Sequence, residues 1–468
     1  MNSHLSRFYS FCPVVLQDLL LTGYSFVLDQ QRYRGDFAAY RDLLDQSQWN
    51  SEDQLEACQE DALQRLIAHA YNTVPYYRNV FNSLKLVPAD IKTIHDLQKL
   101  PLLTKKDVKR HFNDLVSSSY KLKELKPGHT SGTTGSPLEI LYDSHTIFMT
   151  YAALDRQYRW ADVSLKRFGD RIAVLRGNVI VPLTQSKPPF WRHNYLHNQL
   201  LFSSFHLSPS NLPHFLEKLE SFAPVVLDGY PSTLYIMAKY LQSIERTFPL
   251  KAVISSSETL YDFQRAVIEE RFECKMFDYY ALAERVVFAT ECDRHDGHHV
   301  CSEYGITEII EDDGMPVSSG KLGRLVGTGL HNYGMPLIRY VTDDMTAMKP
   351  YQCACGRSLP LMEDVATKAE DIITLKDGRL ISSSTLTHPF KPMTSIEGSQ
   401  IIQEDYDHIK IKLIPNQTYA ESDSRHLIHE FQERLGADVK IDIEFINELP
   451  RTKSGKFKWV ISYVDLGI

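Results

Sequence analysis

Between Asp170 and Ala289, short continuous apolar runs alternate with stretches whose apolar residues recur at helical spacing. Ile172-Ala-Val-Leu175, Val225-Val-Leu227, Ala252-Val-Ile254 and Met276-Phe277 read as buried strands. Leu212 to Phe222, Thr233 to Ile244 and Tyr261 to Phe272 read as the helices between them. Such alternation predicts an α/β fold with a mainly parallel sheet covered by helices, whose ligands gather at the carboxyl ends of the strands. Two turns fall at such ends, Asp228-Gly-Tyr-Pro-Ser232 and Ser255-Ser-Ser-Glu258. Taken alone, each equally suits a helix cap, because Asp and Ser accept bonds from a helix's first N–H groups.

The flanks follow other patterns. Ser51 and Gln54 form a capping box for a helix carrying Leu55, Ala62, Leu63, Leu66, Ile67 and Ala70, and Val74-Pro75 ends it. Leu138-Glu-Ile-Leu-Tyr142 alternates as a strand does. The last hundred residues predict a small α+β unit. It has a hairpin on Asp377-Gly378, strands near Ile401, Ile409 to Leu413 and Val439 to Phe445, and a helix near His426 to Leu435. Nowhere do 18 apolar residues run together; Phe11 to Leu28 is broken by Gln17, Asp18, Thr22 and Ser25. That stretch is expected to pack on its own domain rather than lie on a membrane face.

A length of 468 residues with 43% apolar content allows a large core and two or more domains. The net charge of −8 argues against a nucleic-acid partner, which calls for a basic field. Seven cysteines in so long a chain make no disulfide framework, so a reducing, cytoplasmic setting is expected.

The candidate chemistry begins at Lys126-Pro-Gly-His-Thr-Ser-Gly-Thr-Thr-Gly-Ser-Pro-Leu-Glu139. Its Thr, Ser and Gly residues offer backbone N–H groups and small hydroxyls to a polyphosphate. Ser-Pro after Gly135 rules out a Walker loop. Thr-Ser-Gly-Thr-Thr-Gly-Ser-Pro resembles the signature of the adenylate-forming enzymes, the acyl-CoA synthetases and their relatives. Asp278-Tyr-Tyr-Ala-Leu-Ala-Glu-Arg285 resembles that family's Tyr-Gly-x-Ser/Thr-Glu, with Ala281 and Ala283 in place of Gly and Ser/Thr. Arg339-Tyr-Val-Thr-Asp-Asp344 resembles Arg-Tyr-x-Thr-Gly-Asp, with Asp343 where glycine is usual. Pro450-Arg-Thr-Lys-Ser-Gly-Lys456 matches Pro-Arg-Thr-x-Ser-Gly-Lys. Arg32-Tyr-Arg34, Val74-Pro-Tyr-Tyr-Arg78, Leu100-Pro-Leu-Leu-Thr-Lys105 and Arg285 resemble the CapK/phenylacetate–CoA ligase branch in particular.

The resemblance implies a large N-terminal domain, residues 1–368, and a small mobile C-terminal domain, 369–468. Lys368 and Glu370 stand where the hinge motif Gly-Arg-x-Asp-Asp has its arginine and pivot. It implies activation of a small carboxylic acid by ATP and Mg²⁺ to an acyl-adenylate, then transfer to an acceptor, CoA or an amine or hydroxyl. Thr130, Ser131, Gly132, Thr133, Thr134 and Gly135 would hold phosphates, with Ser257, Glu258, Tyr279, Tyr280 and Lys368 around the nucleotide. Glu284 would hold magnesium, Asp344 the ribose hydroxyls, and Lys456 the transition state. Tyr230, Pro231, Ser255 and Ala281 would line the acyl pocket. Some members of the branch carry Cys…Gly-x-His…Cys-x-Cys, which points to Cys292, His299, Cys353 and Cys355 as structural zinc ligands, with Cys301 in reserve. Soft thiolates with one imidazole suit tetrahedral zinc. Two other expectations are a non-catalytic nucleotide-binding protein of capsular polysaccharide assembly and an acyl-transferring member that uses no CoA. A monomer or homodimer fits any of these.

Overall fold

The computed structural model of the chain describes residues 9–130, 138–311, 313–365, 373–381, 383–390, 392–393, 395–449 and 459–464. Its centre is a nine-stranded sheet. In spatial order the strands are Leu361–Met362, His298–Val300, Phe288–Glu291, Lys275–Ala281, Ala252–Ser256, Val226–Gly229, Ile172–Arg176, Gln199–Ser203 and Trp191–Asn194. The five strands from Lys275–Ala281 to Gln199–Ser203 pair parallel. The pairings at both edges are antiparallel. The parallel centre matches the alternation in the sequence, whereas the antiparallel edges lack helices between them and so left no such signal.

The central strands are buried on both faces, which is why they read as continuous apolar runs. Ala173, Leu175, Leu227 and Val253 face helices Leu212–Phe222, Pro231–Ser243 and Asp262–Phe272, meeting Phe215, Leu219, Ile236, Leu241 and Phe272. On the other face Val174, Val226 and Ile254 pack with Tyr158 of helix Ser144–Trp160. Side chains that alternate across a strand supply both cores.

Helix Glu52–Thr73 starts at the capping box, with Gln54 N–H donating to Ser51 Oγ (3.3 Å) and Ser51 N–H to Gln54 Oε1 (3.0 Å). Pro75 ends this helix and opens the next, Pro75–Leu84, where its fixed φ suits a first helical position. A three-stranded antiparallel sheet, Gly305–Ile310, Gly323–Gly329 and Tyr340–Thr346, lies beside these helices; Leu103 extends it by pairing with Tyr340.

The C-terminal part holds the hairpin of Ile373–Thr374 with Leu380–Ile381, turning at Gly378 with φ 81°. Its four-stranded sheet runs Lys440–Phe445, His408–Pro415, Ile396–Asp405, Val460–Ser462. Helix Glu421–Leu435 begins earlier than its apolar spacing predicts and packs Leu427, Phe431 and Leu435 into this unit's core. Trp459 is fully buried there and donates to Ser399 Oγ at 3.0 Å. The predicted boundary at 368/369 falls outside the described residues.

Helix Val14–Arg32 docks on the edge strand Trp191–Asn194, so the expectation that this stretch packs on its own domain is met, though by its polar side. Gln17, Asp18 and Asp29 are its buried residues, and Asp18 and Thr22 accept the N–H groups of His193 (2.9 Å) and Tyr195 (3.1 Å). The side chains thus cap the sheet edge. Among the described residues no helix is long and apolar enough to cross a membrane.

Candidate functional site

The site forms where strand Lys275–Ala281 ends and strand Tyr340–Thr346 passes it. Close approach needs a glycine. A Cβ on Gly305 would lie 2.2 Å from the Val286 carbonyl oxygen, so only glycine lets the three-stranded sheet reach the chain just after Glu284. Two tyrosine–carboxylate pairs then cross between the motifs. Tyr280 donates to Asp344 at 2.7 Å, and Tyr340 donates to Glu284 at 2.9 Å. Burial raises the Glu284 carboxyl above the ordinary glutamate range, while the Tyr340 bond and the nearby Lys105 charge partly oppose the rise. Burial and the adjacent Asp344 push the Tyr280 phenol well up, so it stays a donor.

The Thr/Ser/Gly loop springs from an antiparallel pair, Lys126–His129 with Glu139–Tyr142. Thr130 closes its base: its N–H donates to the Leu138 carbonyl (3.0 Å) and its Oγ1 accepts from Leu138 N–H (2.9 Å). The Thr130 hydroxyl expected to face phosphate thus accepts this bond. Tyr142 reaches the glutamate segment, donating to the Ala283 carbonyl at 2.6 Å, and Arg285 lies 4.7 Å over its ring. Gly128 makes room for that tyrosine, since a Cβ there would lie 2.1 Å from its hydroxyl. The loop base is therefore tied directly to the segment carrying Glu284. Ser131, Gly132, Thr133, Thr134, Gly135, Lys368 and Lys456 lie outside the described residues.

The acyl-side candidates gather at the carboxyl ends of the parallel strands. Buried Asp228 accepts from Arg176 (Nε, 3.0 Å) and from Tyr158 (2.8 Å). Arg176 also donates to Ser256 Oγ at 2.9 Å and lies 5.6 Å over the Tyr230 ring. Glu258 accepts the Ser232 N–H at 3.1 Å, bonding the two predicted turns; Pro231, beside it, opens its helix. Ser257 sits at φ 74°, and Tyr279 stacks on Phe288 with centroids 5.6 Å apart. Ser255 is fully buried and donates to Asp278, so its hydroxyl serves that carboxylate; Ala281 is exposed. Arg176 and Tyr158 lie outside every quoted motif, while Tyr340, Tyr142 and Lys105 stand within quoted segments that gave them no role. Only Arg176, a charge at the end of an apolar strand, carried a signal of its own.

A second constellation lies on the antiparallel edge. Cys292 follows strand Phe288–Glu291, His299 sits in His298–Val300, and Cys353 and Cys355 lie on the turn before Leu361–Met362. One ligand atom from each falls within 4.8 Å of all the others. Cys292 and Cys353 sulfurs are 3.7 Å apart, and Cys355 Sγ is 3.5 Å from His299 Nε2. Burial lowers His299 to about 4, and its Nδ1 faces the Leu359 carbonyl at 3.4 Å, leaving Nε2 as the free lone pair. Cys301 turns away, donating to Glu303 at 3.3 Å. His298 turns away too, lying 3.2 Å from both Asp278 and Asp364. Burial disfavours its charge, but those bonds outweigh it and hold the imidazolium up to about 10.

Comparison with known proteins adds to this geometry. Residues 373–463 match the family described as CapK C-terminal domain. The chain is 25% identical to Protein CapK of Staphylococcus aureus over 98% of its own length and 100% of that protein's. It is 24% identical to a phenylacetate-coenzyme A ligase of Escherichia coli K12, covering 88% and 95% of the two chains. Among solved structures it resembles 2-hydroxyisobutyryl-CoA ligase in complex with 2-HIB-AMP and CoA, with TM-score 0.58, 19% identity, and 89% and 91% coverage. That likeness establishes the shared fold.

Proposed function

We propose that this chain, a member of the CapK/phenylacetate–coenzyme A ligase family of adenylate-forming proteins, activates a carboxylic acid with ATP and passes the acyl group on. The substrate carboxylate attacks the α-phosphate of ATP, pyrophosphate leaves, and an acyl-adenylate remains. A second nucleophile then takes the acyl group and AMP leaves. The observation that carries this reading is the crossing of Tyr280–Asp344 with Tyr340–Glu284, which brings two motif carboxylates into one site.

Each role follows from chemistry. Asp344 can accept from both ribose hydroxyls, since an ionised carboxylate takes several donors at once. Glu284 offers a hard oxygen of the kind Mg²⁺ takes alongside phosphate oxygens and water, and its raised pKa falls again beside a cation. The bound ion would neutralise phosphate charge. Thr130, Ser131, Gly132, Thr133, Thr134 and Gly135 form the phosphate loop; the Thr130 N–H is taken by the Leu138 carbonyl, so its hydroxyl proton is the donor it has left. Ser257, Glu258, Tyr279 and Lys368 surround the nucleotide. Lys456 stabilises charge on the α-phosphate and attacking carboxylate. The small domain, beginning near residue 369, moves between the steps so that its lysine loop enters and leaves.

Tyr230, Pro231, Ser255 and Ala281 belong to the acyl side, where the Arg176–Asp228 pair and Tyr158 make the surroundings polar. CoA is the acceptor carried by the ligase relatives' names; an amine or a sugar hydroxyl is the alternative acceptor. ATP use fits work in the cytoplasm. The thiol–imidazole cluster is a closed structural zinc site, held apart from the chemistry. The deciding experiment is pyrophosphate release across a panel of aryl, fatty and amino acids, followed by CoA, amine and hydroxyl acceptors. No release with any acid, alongside tight ATP binding, would favour a non-catalytic nucleotide binder of polysaccharide assembly.

A further inference from the structure

Helix Val14–Arg32 is amphipathic the wrong way round for a core helix. Its buried residues are Gln17, Asp18 and Asp29, and each has a partner on the sheet edge or beside it. Gln17 accepts from Arg192 Nε, Asp18 from His193 N–H, and Asp29 from Arg167 and His197. The opposite side holds Val15, Leu19, Tyr24, Phe26 and Val27, with Val15 69%, Leu19 56% and Val27 51% exposed. At 3.6 residues per turn these positions, with Leu16 and Leu20, sweep an arc of roughly 180°. Gly23 falls within it, and a Cβ there would meet nothing within 4 Å. Scattered exposed leucines need no explanation, whereas a contiguous half-cylinder of them does.

The neighbourhood says what covers this face. Both acids of the helix point inward, so its outer half carries no negative charge. Beside it the loop Lys166-Arg167-Phe168 is exposed, with Arg167 5.3 Å over the Phe26 ring. Phe168 is 75% exposed at φ 52°, and its N–H is pinned to the Leu196 carbonyl at 3.0 Å. An apolar ridge with aromatic residues and the adjoining exposed Lys166, with Arg167 already paired to Asp29, suits the boundary between headgroups and acyl chains. A convex ridge also needs no shaped partner, because lipid closes around it.

We propose that helix Val14–Arg32 and the Phe168 loop form a monotopic attachment site for an anionic lipid bilayer, so that the enzyme lies on the membrane surface. The proposal is independent of the reaction. The buried polar contacts of Gln17, Asp18 and Asp29 hold the helix to the sheet, and Val15 and Leu19 point away from that docking, so replacing them leaves the fold in place.

The test is flotation of the full-length protein with vesicles of phosphatidylcholine alone and with added phosphatidylglycerol. Wild type should float with the anionic vesicles and less with neutral ones, more weakly as salt rises. The double variant Val15→Gln/Leu19→Gln and, separately, Phe168→Ser should bind about tenfold more weakly, with unchanged thermal melts. Lys166→Glu should act on anionic vesicles alone. Absence of wild-type binding to either vesicle overturns the proposal. So does a wild-type dimer, seen by light scattering, that Leu19→Gln converts to monomer while neither form floats; the face would then belong to a second copy.

Discussion

Removing one thiol from the Cys292–His299–Cys353–Cys355 cluster tests whether its geometry means zinc. Around a tetrahedral ion with Zn–S of about 2.3 Å and Zn–N of about 2.05 Å, ligand atoms lie about 3.8 Å apart for two sulfurs and about 3.6 Å for sulfur and nitrogen. The two contacts found, 3.7 Å for Cys292–Cys353 and 3.5 Å for Cys355–His299, are those separations. Reduced thiols packed as small apolar groups have no reason to gather with an imidazole nitrogen so that all four ligand atoms lie within 4.8 Å of one another. Cys353→Ser should lower bound zinc from about one per chain to well below that, because serine is a poor zinc ligand at neutral pH. The turn 353–355 is tied to strand His298–Val300 through this cluster and the short pairing with Leu361–Met362. Its release should therefore cost several kcal/mol locally and lower the melting temperature by about 5 °C or more. The assays are elemental analysis of untagged protein and calorimetry, with and without chelator. Metal-free wild type with the same melting temperature as Cys353→Ser would refute the reasoning.

Other outcomes follow from the same geometry. Lys456→Ala should slow pyrophosphate release by about 100-fold or more with ATP binding retained, as when a preorganised charge leaves a closed site; unchanged release on a proven substrate would sink the assignment. Asp344→Ala should raise the KM for ATP by about tenfold or more, and Tyr280→Phe should act in the same direction but less, through the loss of one hydrogen bond to that carboxylate; an unaltered KM in both would remove Asp344 from the nucleotide site. His206 has its pKa lowered to about 4 by burial, helped by the Arg379 charge. Since the unfolded chain takes up that proton below about pH 6.5 while the folded one does not, stability falls as pH drops from there towards 4. The loss is of order 2 kcal/mol by pH 5, so melts at pH 7 and 5 should converge in His206→Gln; an equal pH slope in variant and wild type would contradict the assignment.

The sequence was most informative where structure is local. The Ser51–Gln54 box and the Gly378 turn need only neighbours a few residues apart, and both form as read. The parallel strands were visible because burial on both faces removes polar residues from them. The Tyr340–Glu284 bond was not, because the motif holding Tyr340 carries no local sign of a carboxylate 56 residues earlier. Arg176–Asp228 joins neighbouring parallel strands with strands Trp191–Asn194 and Gln199–Ser203 and helix Leu212–Phe222 between them along the chain. Helix Val14–Arg32 shows the limit of apolar counting. Its polar residues looked like interruptions of an inward face, yet they are the inward face, because an open sheet edge offers N–H groups that only oxygens can satisfy.

The departures inside the motifs make sense against what holds the Glu284 segment. The Tyr142 hydroxyl bonds the carbonyl of Ala283, and Arg285 covers the same ring from a left-handed turn at φ 57°. Both restraints act on backbone or on the following residue, so neither depends on a hydroxyl at position 283. Alanine there removes one donor without loosening the glutamate. Tyr340 fixes the carboxylate from the opposite side, and its strand is itself pinned by Leu103, whose N–H donates to the Arg339 carbonyl at 2.9 Å. Arg339, at φ 53°, donates to Glu308 and to the Leu100 carbonyl, so it braces this strand against strand Gly305–Ile310 and the chain near residue 100. The position of Glu284 is thus set by groups from four separate stretches of chain, around residues 100, 142, 305 and 340. That redundancy is why two small-residue replacements in its own motif leave the carboxylate beside Tyr340.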